Sequence, residues 1–114
     1  MRRVILESPY GSDDDATVQR NVDYARKCMH DSLLLGEAPI ASHLLYTQPG
    51  VLLDRDPLQR AIGIAAGHAW MPFADAVVFY IDHGMSDGMK IAQEFAQRLR
   101  MPIEVRRLYD EEKT

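Results

Sequence analysis

The sequence predicts a three-layer α/β sandwich around a parallel sheet of four or five strands. Three observations predict it. Short β-branched runs alternate with longer segments of helical periodicity, giving the order β-α-β-α-β-α-β. The run Asp75 to Ile81 (DAVVFYI) is continuously apolar, as a central parallel strand covered on both faces must be. No repeat or linker interrupts the 114 residues, so residues 1–114 read as one domain.

Arg3 to Glu7 (RVILE) is the first strand, ended by the breaker Ser8-Pro9-Tyr10-Gly11. The run Asp13-Asp14-Asp15 follows. It reads either as a helix cap, where negative charge suits the dipole, or as part of a metal site. From Thr17 to Leu35 the pattern is helical, with Val18, Val22, Ala25, Met29 and Leu33 on one apolar face and Gly36 as terminator. Residues 38–41 form a short second strand, with Pro39 at its start or edge. Ser42 to Gln48 reads as a long connection carrying His43, Tyr46 and Gln48, closed by the turn Pro49-Gly50.

Asp56-Pro57-Leu58-Gln59 opens the next helix, with Asp56 at N-cap, Pro57 at N1 and Gln59 at N3. That helix runs to Trp70 or Met71 and stops at Pro72. Its small residues Ala61, Gly63, Ala66 and Gly67 admit close packing of a partner element, and Trp70 is expected to fill core or interface space. After the strand Asp75 to Ile81, Gly88 to Leu99 is helical, with Met89, Ala92, Phe95, Ala96 and Leu99 on one face. Ile103 to Arg106 is the last strand, and a polar tail follows from Leu108. The predicted strand order sets the first and third strands side by side, so their exit loops face each other across one crevice.

Composition limits the function classes. The chain is 46% hydrophobic and 26% charged, enough to fold around a core. Its net charge of −4 argues against binding a nucleic-acid polymer, because counterion release needs clustered cations. Cys28 is the only cysteine, which excludes an internal disulfide and a multi-cysteine metal site and reads as a small buried hydrophobe. The apolar run Val4 to Leu6 is too short for a signal peptide or membrane span, so the expectation is a cytoplasmic protein without a membrane partner. No cofactor or metal is implied.

The stretch Ala74 to Met89 is the first place to look for function. A buried strand gives way to a glycine-containing loop and then a helix N-terminus, which aims backbone N–H groups and a positive dipole end at a ligand. Opposite it lies the first loop, with Ser8, Pro9, Tyr10 and Gly11.

The motifs Ser8-Pro9-Tyr10, Pro39-Ile40-Ala41-Ser42-His43-Leu44, Leu53-Asp54, Arg60, Ala74-Asp75, Ser86-Asp87-Gly88-Met89 and Met101-Pro102-Ile103 occur in this order along nearly the whole chain. In this the chain resembles the nucleoside 2-deoxyribosyltransferase-like superfamily, and more closely a small bacterial and phage family within it marked by SPY, PHL-like and SxGM motifs. The resemblance implies a flavodoxin-like parallel sheet, a homo-oligomer and cleavage of an N-glycosidic bond. It implies a glutamate nucleophile early in the helix after the glycine loop, suited to an oxocarbenium-like transition state, and an aspartate that assists the leaving base. The glutamate position is Ala92 here, and the positions around the aspartate read Ala66-Gly67-His68. The nearest helix acid, Glu94, is rotated by about 200° from Ala92 and is expected in charge pairs with Lys90 and Arg98.

Three readings follow. The first is an enzyme on a nucleoside or nucleotide, with Tyr10 contacting the sugar or the carboxylate, Asp82 or Asp87 as acid/base, Glu94 as the remaining candidate nucleophile, and Ser86 with Gly88 holding a phosphate. The second is a binding module that kept the crevice without the chemistry, its ligand held by Ser8, Pro9, Tyr10, Gly11, His43, Arg60, Ser86, Gly88 and Met89. The third is a subunit that acts only through oligomer contacts.

Overall fold

A computed structural model describes residues 1–109. The expected polar tail therefore lies, from 110 onward, outside the described residues. The elements are β1 (Arg2–Glu7), α1 (Asp15–Leu34), β2 (Glu37–Ile40), α2 (Ser42–Leu45), α3 (Pro57–Trp70), a 3-10 turn (Met71–Phe73), β3 (Ala76–Tyr80), α4 (Asp87–Arg98) and β4 (Ile103–Arg106). The strands form one four-stranded parallel sheet in the order β2-β1-β3-β4. The fold is the expected three-layer, flavodoxin-like sandwich. Val4 pairs with Pro39 on one side and Ala76 on the other, so β1 and β3 lie side by side and the chain leaves them in opposite directions. That divergence opens a crevice at their carboxyl ends.

Strand alternation sorts the core into two layers. Val4, Leu6, Val78 and Tyr80 face α1 and pack with Tyr24 and Cys28. Ile5, Val77 and Phe79 face the other way, onto Met89, Ala92 and Ala96 of α4 and onto Met71. All five residues of β3 are buried, as its sequence requires. Removing a side chain of this size from water stabilises the fold by about 1.5–3 kcal/mol.

The helix ends follow local chemistry. Asp14, the middle aspartate of the acidic run, is the α1 cap and accepts from the N–H groups of Ala16 and Thr17. Asp15 pairs with Arg55 at 2.6 Å, tying the first loop to the segment before α3. Asp56 caps α3 by accepting from Gln59 N–H at 3.0 Å. The Gln59 side chain does not complete a capping box; it accepts from Leu53 N–H and braces the approach loop. Gly36 and Gly84 both take positive φ, at the exit of α1 and in the turn after β3.

Two expectations are corrected. The buried face of α1 is Asn21, Tyr24, Ala25, Cys28 and Ser32, and Leu33 is half exposed. The helix is turned from the purely apolar phase because its polar residues find partners inside: Asn21 donates to the Tyr10 carbonyl, Tyr24 to Asp82 and Ser32 to Glu37. The connection after β2 is not irregular throughout, since Ser42–Leu45 coils into a single helical turn. Among the described residues no helix is long and apolar enough to cross a membrane.

Candidate functional site

A cavity of about 440 Å³ opens at the carboxyl ends of β1 and β3. Its floor is the end of β1, Glu7 and Ser8. Tyr10 and Gly11 of the first loop, His43, Tyr46 and Thr47 from α2 and its exit, Asp54, Arg60 and His68 from and before α3, and Met85 to Met89 at the start of α4 complete the lining. The volume suits a small organic ligand, and the wall mixes apolar surface with convergent polar groups.

Each side chain is placed by its element. By strand alternation Glu7 shares the α4 side of the sheet with Ile5, one step past the apolar core. It ends β1 where the sheet opens, and neither a hydrogen bond nor an ion pair engages its carboxyl group among the described residues. Glu7 is half-buried, and desolvation on the cavity floor pushes that carboxyl up to about 8. His43 enters from α2, and its Nε2 lies 2.7 Å from Ser8 Oγ in a hydrogen bond whose donor depends on the imidazole tautomer. Burial holds His43 down to about 4, so the ring is neutral at ordinary pH. Thr47 Oγ1 donates to the His43 carbonyl and fixes the turn that carries the ring.

α2 sits tightly on α3. A Cβ at Gly67 would lie 2.4 Å from Ser42 Oγ and 2.9 Å from Ser42 Cβ, so only glycine lets the two elements meet. Gly11 plays the same part in the first loop, where a Cβ would lie 2.7 Å from Asp54 Oδ2. Arg60 pairs with that carboxylate at 3.2 Å. His68 stacks on Phe95, ring centroids 4.7 Å apart, and burial lowers its affinity for a proton.

The α4 N-terminus is partly used by its own cap. Ser86 Oγ accepts from Met89 N–H at 3.3 Å, and Ser86 N–H donates to Met89 Sδ at 3.4 Å. Asp87 and Gly88, the first two helical residues, have no intrahelical acceptor for their N–H groups and leave them to the cavity mouth. Asp87 itself is exposed in the first turn, where its charge suits the dipole.

Of the sequence-selected residues, Ser8, Tyr10, Gly11, His43, Arg60, Ser86, Asp87, Gly88 and Met89 meet on this one cavity. Pro9 is buried beside it without lining it. Asp82 is placed elsewhere: it accepts from Tyr24 Oη at 2.5 Å and from the N–H groups of Leu108 and Tyr109, and so anchors the segment after β4. Glu94 is exposed on the far side of α4 and makes no ion pair with Lys90 or Arg98 among the described residues. Ala92 is fully buried against the sheet, so a carboxylate at that position would enter the core.

Sequence reasoning misses Glu7 and His68. The signal for Glu7 is a charged residue closing an apolar strand beside the topological switch point, where a ligand group belongs. His68 carries no comparable signal, since a histidine within a helical pattern is read as core. No curated protein and no solved structure matches the chain. The model of the family described as a domain of unknown function (DUF7768) matches residues 2–106, and the chain belongs to that family.

Proposed function

We propose that the cavity binds a nucleoside or nucleotide. The observation that carries this reading is the convergence, on one cavity of about 440 Å³, of a phenol (Tyr10), a neutral imidazole (His43), an ion-paired guanidinium (Arg60) and the open N–H groups at the start of α4. These groups recognise hydroxyls, ring nitrogens and exocyclic oxygens without a cofactor. Arg60 is the sole cation lining the cavity among the described residues, and Asp54 already pairs with it. Glu7, Asp54 and Asp87 line the same space. That balance favours the uncharged nucleoside over the phosphorylated form.

Cleavage of an N-glycosidic bond is the second reading, and the unpaired Glu7 carboxyl favours it. A carboxylic acid kept protonated beside a bound base can serve as general acid. Calorimetric titration with deoxynucleosides and their 5′-monophosphates, with chromatography for released base, tests both readings. Binding with release of base supports catalysis. Binding without release leaves the binding module, and no binding at millimolar concentration removes both.

The protein on this reading works in the cytoplasm as a homo-oligomer. Supporting the oligomer, Leu58, Ile62, Trp70 and Phe73 are all exposed along α3 and the turn after it. Light scattering after size exclusion measures the oligomer directly, and a monomer overturns it.

A further inference from the structure

We propose that Glu7 is the residue that reads the ligand: its carboxyl donates a hydrogen bond to an acceptor nitrogen or oxygen on a nucleobase, or a similar uncharged heterocycle, seated on the end of β1. This rests on the reading of the cavity as a nucleoside site. Glu7 is the last residue of β1 and follows the core residue Ile5 on the same face, yet it lines the cavity. A polar residue there is a local conflict with folding, of the kind that marks a functional position. The other carboxylates of the cavity have assignments: Asp54 pairs with Arg60, and Asp87 sits in the first turn of α4. Among the described residues Glu7 and Asp87 are both engaged by neither a cation nor an N–H donor, but Asp87 is exposed at the cavity mouth, whereas Glu7 is half-buried on its floor.

An unpartnered, half-buried carboxyl on the floor of a cavity holds its proton more tightly than a solvated one, and the push up to about 8 agrees with this. A protonated carboxyl is a donor; an ionised one only accepts. The group therefore selects acceptors and repels anions once it ionises. The titratable and charged groups that line the cavity with it are Tyr10 from the first loop, His43 and Tyr46 from α2 and its exit, Asp54, Arg60 and His68 from the α3 side, and Asp87 from α4. His43 and His68 both have lowered proton affinity, so neither changes charge as pH rises above 7.

The test is calorimetric titration of the full chain with 2′-deoxyadenosine, 2′-deoxyguanosine, 2′-deoxycytidine and thymidine between pH 6 and pH 9.5. At least one should bind the wild type with steady affinity up to pH 7 and then weaken above pH 8, approaching about tenfold per pH unit. Glu7→Gln keeps an N–H donor at the same place and should bind with a flat profile over this range. Glu7→Ala should lose about tenfold or more at pH 7. Thermal melting confirms that each variant is folded, and the wild-type profile needs no variant. A wild-type profile that stays flat above pH 8, or one that Glu7→Gln reproduces, overturns the role of Glu7 while the nucleoside site stands. Failure of all four nucleosides to bind overturns both.

Discussion

Glu7 ends β1 and Glu37 begins β2, so two glutamates sit at opposite ends of neighbouring strands. Glu37 is 5% exposed and surrounded by donors: Arg106 reaches it with both Nη atoms at 2.7 Å, Ser32 donates at 2.8 Å and Arg2 at 3.1 Å. The Arg106 guanidinium, aided by Ser32 and Arg2, holds its carboxyl down to about 2. Glu7 has no such company among the described residues, and desolvation drives it the other way, up to about 8. The lesson lies in the partners. A buried carboxyl that the fold satisfies is part of the fold, whereas a half-buried one that opens unpaired onto a cavity is free to meet something from outside it.

The largest effect should come from breaking the satisfied site. Glu37→Gln leaves Arg106 largely buried with only Glu104 as carboxylate partner among the described residues. The expected loss is about 3 kcal/mol in urea unfolding, since removing one member of a buried pair strands the other. The wild type should also weaken in acid. A carboxyl lowered from 4.5 to about 2 contributes stability that is full above pH 4.5 and is lost as pH falls toward 2. A Glu37→Gln variant with an unchanged unfolding midpoint would place this network with ordinary surface ion pairs.

Glu7 should behave with the opposite sign. Its proton affinity is higher folded than unfolded, so its contribution is full below pH 4.5 and is lost as pH rises through about 8. Glu7→Gln removes that penalty. The variant should therefore gain about 2 kcal/mol on the wild type at pH 9 relative to pH 5, less than the full shift implies because the carboxyl opens onto the cavity. Matching stability curves for variant and wild type across that range would mean that Glu7 is solvated after all.

Gly67→Ala sharpens the contrast in another way, because it acts on the cavity wall. The new methyl would overlap Ser42, with its backbone-attached Cβ at 2.9 Å, so α2 must move off α3. The expected loss is about 1–2 kcal/mol. His43 rides on α2, so its bond to Ser8 should loosen too, and the imidazole should regain proton affinity, visible as a rise of its NMR titration midpoint from about 4. Unchanged stability together with an unchanged midpoint would show that the α2–α3 contact yields freely.

The fold was legible because its signals are local. Apolar β-branched runs, Asp56-Pro57 before α3 and Ser86 before α4 each act within a few residues. The phase of α1 was not, because Asn21 and Ser32 are buried against partners that only the tertiary fold supplies, Tyr10 and Glu37. The site divides the same way. Tyr10, His43, Arg60 and Ser86 to Met89 lie in motifs at or after strand ends, and the topology brings them together. Asp82 looked equally well placed, but Tyr24 and the backbone at Leu108, 58 and 26 residues away, claim it. Glu7 was hidden by reading it as the end of a strand instead of the start of a site.

The smallest expected effect falls on Glu94, the acid that the superfamily resemblance brings nearest to the nucleophile position. It is exposed, outside the cavity and unpaired among the described residues, while Ala92 fills the core face. Glu94→Ala should change stability by less than about 0.5 kcal/mol. It should leave nucleoside affinity, and any release of base, where the wild type has them. Glu7→Ala provides the contrast, since it should lower both at pH 7. If base release instead disappears with Glu94 and survives without Glu7, the chemistry enters from outside this chain's own cavity. The remaining way for Glu94 to act is then to reach the cavity of an adjoining copy, and light scattering on the same samples would have to find that copy.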